Sequence, residues 1–136
     1  MNDRFRFRVW FTPDYQEPEM IYDAEQTYDF GCQSKGSYHH DNFGEILEDK
    51  DCIVMQCTGL KDKNGKLIYE GDILGGIYHG YIAYCPECKC FQLFVKDYGC
   101  LACEGDLHWY ELVEAEEQNE LEVIGNIYEN KELLND

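Results

Sequence analysis

The segment RFRFRVWF (4 to 11) alternates strictly, with Phe5, Phe7, Val9 and Phe11 on one side and Arg4, Arg6, Arg8 and Trp10 on the other. A period of two sends successive side chains to opposite faces of a strand, so this stretch predicts a half-buried strand with a charged outer face. TPDYQEPEM reads as a proline-punctuated turn and MIYD as a short returning strand. Periodicity then fades until DNFGEILEDKD, where Phe43, Ile46 and Leu47 fall at helical spacing behind Asp41 or Asn42 as a cap. CIVMQCTGL is an apolar strand. The Asn64-Gly65 pair after it predicts a type I′ hairpin, whose two central residues need positive φ, with KLIYEGDIL as the partner strand. IYHGYIAY, with a bulge or sharp bend at Gly80, is followed by FQLFV, HWYELV and LEVIGNIY as further strands. The acidic EAEEQNE (114 to 120) separates the last two, and ENKELLND closes the chain as a short helix capped by Asn130.

About seven short strands with turns between them predict a mainly β fold, a small barrel or roll with one or two short helices. The 136 residues fit a single domain, 1–136, and a chain of this size buries roughly two-thirds of its unfolded surface without needing a staple. The tripeptide EGD occurs at 70 and 104 without marking a structural repeat. A formal charge of −17 repels phosphate backbones and speaks against a simple nucleic-acid binder. It serves solubility, or an acidic surface turned toward a basic partner. No apolar run approaches the roughly 20 residues that span a bilayer. MNDRFRFRVW also lacks the apolar region of a secretory signal. The expectation is therefore a cytoplasmic protein with reduced thiols and no membrane partner.

The densest chemistry is CPECKCFQLFVKDYGCLAC (85 to 103), which holds five of the eight cysteines. Cys85-x2-Cys88 and Cys100-x2-Cys103 are two knuckles of the kind that converge four thiolates on one tetrahedral zinc, with Zn–S about 2.3 Å. Pro86 presets the first turn, and Gly105 permits the tight backbone after the second, as in zinc ribbons. FQLFV and KDYG would supply the hairpin between them, and Cys90 is left spare. Such an ion would be structural, since four protein ligands leave no place for water. The alternatives are packed, metal-free thiols and disulfide or redox chemistry, for which neither a reducing compartment nor the local context argues. His108 could substitute for one cysteine as a ligand, but within DLHWYEL it is expected on a strand face. His39, His40 and Asp41 with Cys32 form a weaker metal candidate against a plain solvated loop. Cys52 and Cys57 bracket a strand as core or surface thiols. Glu70 and Asp72 in EGDIL read as a turn, with Gly71 taking special angles and Asp72 bonding nearby amides, in preference to a catalytic carboxylate pair.

FRFRVWF with EMIYD, IVMQCTGLKDKNGKLIYEGDIL (53 to 74) and LEVIGNIYENKELL (121 to 134) together resemble the YopX family of phage and prophage proteins. Lys131 departs from that pattern, which has proline at the first turn of the final helix. The resemblance implies an SH3-like roll with extra strands and a phage context, and it leaves 31–45 and 85–110 outside the common pattern. It implies no reaction.

No P-loop, dinucleotide fingerprint, nucleophile elbow or H-E-x-x-H is present. The expectation is a non-enzymatic accessory module that binds a host or phage protein and carries zinc on Cys85, Cys88, Cys100 and Cys103 in a hairpin over 85–105, with a homo-oligomer left open. The rival is a nucleic-acid-associated module using the same hairpin and the arginine strand.

Overall fold

In the computed structural model, residues 3–14, 16–26, 40 and 42–135 are described, and they form two compact units, 1–57 and 58–136. Both are mainly β, as the alternation predicts. Among the described residues, no helix is long and apolar enough to cross a membrane.

The first unit centres on β1 (Phe7–Phe11), which pairs antiparallel with β2 (Glu19–Tyr22) on one side and with the first half of β3 (Cys52–Lys61) on the other. Val9 and Phe11 are buried with Ala24 and Ile46. Ile46 comes from α1 (Phe43–Glu48), whose cap is Asn42, its side chain accepting from Glu45 N at 3.1 Å. The outer face of β1 departs from expectation. Arg8 is 1% exposed, with its guanidinium 5.9 Å from the Tyr22 ring centroid and its Nη1 donating to Tyr22 Oη, whereas Phe5 lies outside the strand in a 3-10 turn and is 57% exposed. A strand paired on both edges has its second face covered where an aromatic can lie over it, and the guanidinium stacks there.

In the second unit the end of β3 meets β4 (Leu67–Tyr69), and a five-stranded antiparallel sheet runs in the order β8 (Gly99–Cys100), β7 (Cys90–Val95), β6 (Gly80–Cys85), β5 (Asp72–Leu74), β9 (Val123–Asn126). The expected partner strand KLIYEGDIL is thus two strands. Gly71, at φ 86°, turns the corner, and Asp72, fully buried, accepts from Tyr69 N at 2.8 Å. The hairpin at Asn64-Gly65 exists but is not type I′. Asp62 O accepts from Gly65 N at 2.9 Å, Asp62 N donates to Lys66 O at 2.8 Å, and only Gly65 has positive φ, at 83°. A three-residue loop with glycine in the bulge position explains this.

The largest difference is HWYELV. Its β-prone composition predicts a strand, yet Trp109–Glu117 is a helix, α2, that absorbs much of the acidic stretch. Glu111 Oε1 accepts from the N–H of His108, the residue before the helix, at 3.1 Å. Leu112 and Ala115, three apart, are buried on the core of Leu60, Ile68, Leu74, Ile82, Leu93 and Leu121. Burial of one helical face overrides local propensity. At the C-terminus the helix is a 3-10 turn, Lys131–Leu134, and the Asn130 side chain turns back to accept from Asn126 N at 3.1 Å.

Gly80 begins β6, and the reason for glycine is close approach: a Cβ there would lie 2.4 Å from the backbone oxygen of Phe94 and 3.2 Å from Leu93 Cδ1. Gly80→Ala must push β6 from β7 and is expected to destabilise the protein by about 2 kcal/mol. Urea unfolding checks this; a loss below about 0.5 kcal/mol, ordinary for a surface change, counts against it.

Candidate metal centre

The β6–β7 hairpin builds the first knuckle. Cys85 ends β6 opposite Cys90, which begins β7, and Pro86 to Lys89 close the loop between them. Lys89 N donates to Cys85 O at 2.7 Å, with Lys89 at φ 59°. A lysine in the left-handed region costs about 1 kcal/mol or more, so the surrounding contacts must over-determine the turn. The second knuckle follows β8, which pairs with β7 through Phe94 opposite Cys100 and Val95 opposite Gly99. Gly105, at φ 80°, donates to Ala102 O at 3.0 Å, and Asp106 N donates to Leu101 O at 2.9 Å. The chain therefore runs out along β7 and returns through KDYG to β8, as the spacing predicts.

This brings Cys85, Cys88, Cys100 and Cys103 together, with all four Sγ atoms within 4.8 Å of one another. Cys85 lies 3.5 Å from Cys103, Cys88 3.7 Å from Cys103 and Cys88 3.9 Å from Cys100, sulfur to sulfur. Disulfide sulfurs sit at about 2.05 Å, so these are separate thiols. Four sulfurs each about 2.3 Å from a central ion stand about 3.8 Å apart along a tetrahedral edge, and the observed separations bracket that value. The donors therefore fit a metal of the zinc class. Cys85 and Cys100 are buried with Ala102, Cys88 is half-buried and Cys103 is exposed. Cys90 stays outside the group, its sulfur accepting from Gln92 Nε2 at 3.2 Å.

The thiols are electrostatically unequal. The N–H of Cys88, directed at the Cys85 sulfur, together with bonds from the neighbouring thiols, brings the Cys85 thiol down to about 7. Partial burial pushes Cys88 up, and hydrogen bonding with Cys85 and then Cys88 pushes Cys103 up strongly. One thiolate is easily formed at Cys85, while burial at Cys88 and the hydrogen bonds held by Cys103 keep those two protonated. A dication held by the four sulfurs would offset the penalty of ionising them and favour their deprotonated forms.

Elsewhere, His108 caps α2 and is absent from the cysteine group. Cys32, His39 and Asp41 lie outside the described residues, while His40 hydrogen-bonds Asp49 at 2.8 Å. A feature the sequence pattern did not single out is an aromatic row. Tyr84 meets Phe91 edge to face at 6.2 Å and Phe91 meets Trp109 at 6.2 Å; as a separate pair, Tyr110 stacks on His108 at 5.7 Å. Tyr84 is 50% and Tyr110 62% exposed.

A family profile described as "YopX protein" matches residues 6–135. The crystal structure of protein EF1440 from Enterococcus faecalis is similar, at 27% identity and a TM-score of 0.51, covering 95% of this chain and 96% of that one. No curated protein matches the chain.

Proposed function

This chain belongs to the YopX family, and from that premise we propose that it is a non-enzymatic protein-binding β module whose β6–β8 hairpin is pinned by a structural zinc ion on Cys85, Cys88, Cys100 and Cys103. The observation that carries the metal is the convergence of four sulfurs at tetrahedral-edge separations. Four thiolates fill the shell, leave no position for water and make the ion a staple. Elemental analysis of untagged protein tests this: zinc is expected in the parent, with one equivalent lost in Cys100→Ser. Zinc content equal in the two overturns the assignment.

Recognition is supported by the exposed rings of Tyr84 on β6 and Tyr110 on α2 in a chain of charge −17. Aromatic faces in an acidic field suit a partner that presents arginine or lysine, and a phage or host protein with a basic surface is the class that fits. The rival nucleic-acid reading uses the hairpin together with the arginine strand, and of that strand Arg8 is buried while Arg6 stands 3.9 Å from Asp3. Crosslinked capture from host lysate should yield a partner with the parent and lose it with Tyr84→Ala combined with Tyr110→Ala. Equal capture by both proteins, or none by the parent, counts against this surface.

A further inference from the structure

In the first unit the geometry points to a second, mixed-donor site for a zinc-class divalent cation, formed by His40, Asp49 and Cys52. The spacing Asp49-x2-Cys52 matches that of a cysteine knuckle, with a carboxylate in the place of the first thiol. The local backbone makes it a tight turn. Asp49 follows α1 with its N–H donating to Ile46 O at 3.1 Å, and Cys52 N donates back to Asp49 O at 3.1 Å. One carboxylate oxygen of Asp49 is committed, Oδ1 accepting from Asp51 N at 2.8 Å, which aims Oδ2 at His40 Nε2, also at 2.8 Å. One imidazole nitrogen, a carboxylate oxygen and Cys52 Sγ lie within 4.8 Å of one another.

Imidazole nitrogen, carboxylate oxygen and thiolate sulfur are the three donor types zinc accepts, whereas calcium and magnesium take oxygen. With a neutral imidazole the two anions balance a dication. His40 is 3% exposed, while Asp49 and Cys52 are half-buried, so the set has a buried anchor and an outer side. Nitrogen and oxygen each about 2.0–2.1 Å from a tetrahedral ion stand about 3.4 Å apart. Binding therefore replaces the His40–Asp49 hydrogen bond with the ion and opens that pair by about half an ångström. Three protein ligands leave a fourth position to solvent, in contrast to the tetrathiolate set.

Nucleophilic use of Cys52 fits less well, because Asp49 stands against both the thiol and the imidazole. Burial first, and then the Asp49 and Asp51 charges, raise the Cys52 thiol and oppose a free thiolate nucleophile.

Cobalt(II) titration of the full, metal-stripped chain tests the site by counting equivalents and by the sulfur-to-cobalt absorption of each. Cys52→Ser and Asp49→Asn are each expected to bind one equivalent fewer than the parent and to weaken that equivalent at least a hundredfold. Cys103→Ser is expected to remove a different equivalent, so failure of the tetrathiolate site is distinguishable from failure of this one. Equal stoichiometry in the parent and Cys52→Ser, whose side chain is nearly isosteric, overturns the proposal.

Discussion

Replacing Cys103 with serine is expected to lower the thermal midpoint by on the order of 15 °C in zinc-containing buffer and to leave the metal-stripped protein almost unchanged. Cys103 is the exposed member of the four, so its substitution removes little packing, and a surface change of that kind costs within about 0.5 kcal/mol. A bound ion changes the arithmetic. If free zinc stands a thousandfold above its Kd, binding adds about 4.1 kcal/mol to stability, and roughly 4 °C per kcal/mol converts that to the stated shift. Thermal denaturation of the parent and Cys103→Ser, with and without chelator, supplies the measurement. Cys90→Ser serves as the control, since Cys90 lies outside the group, and its midpoint should still fall on chelation. A Cys103→Ser protein as stable as the parent in zinc, together with a parent indifferent to chelator, would return the four cysteines to packed thiols.

The tetrathiolate group was legible because two x2 spacings and a hairpin-length insert leave the chain little choice: β7 must go out and β8 must come back for the knuckles to meet. The strands of β1, β2, β3, β6, β7 and β9 were legible for a similar reason, their alternation or apolar runs being bounded by turn residues. HWYELV was not, because tryptophan, tyrosine and valine favour strands locally. Only the cap at His108–Glu111 and the burial of Leu112 and Ala115 on the sheet decide for helix. Arg8 shows the same limit from the other side. Alternation assigns it to the face away from Val9 correctly, but a sequence does not show that Tyr22 covers that face. Likewise His40 and Cys52 are twelve positions apart, and only the turn after α1 brings them together.

Asp62 is the residue whose importance the sequence conceals most, since within KDKNGK it looks like an ordinary loop carboxylate. It is 6% exposed and ties three backbone amides, Oδ1 accepting from Asn64 and Lys66 at 2.9 Å each and Oδ2 from Val123 at 3.0 Å. One carboxylate thus holds the β3–β4 loop closed and fastens it to β9. Asp62→Asn keeps one acceptor oxygen but presents an NH2 to a second amide donor. An unsatisfied buried donor costs about 1–3 kcal/mol and charge-assisted bonds are the stronger kind, so a loss of about 3 kcal/mol at pH 7 is expected. Burial by itself would raise the Asp62 carboxyl, but the amides of Val123, Lys66 and Asn64, with the Lys66 charge, outweigh it and hold the group below the usual carboxylate range. Because the folded state binds the proton more weakly than the unfolded chain, the stabilisation is complete above the unfolded value of about 3.9 and drains away as pH falls through the folded one. The gap between parent and Asp62→Asn in urea unfolding should therefore stay level from pH 7 to about 5 and narrow below about 4. A gap that persists unchanged to the lowest pH at which the parent still folds would mean that the side chain's shape, and not its charge, holds β9 in place.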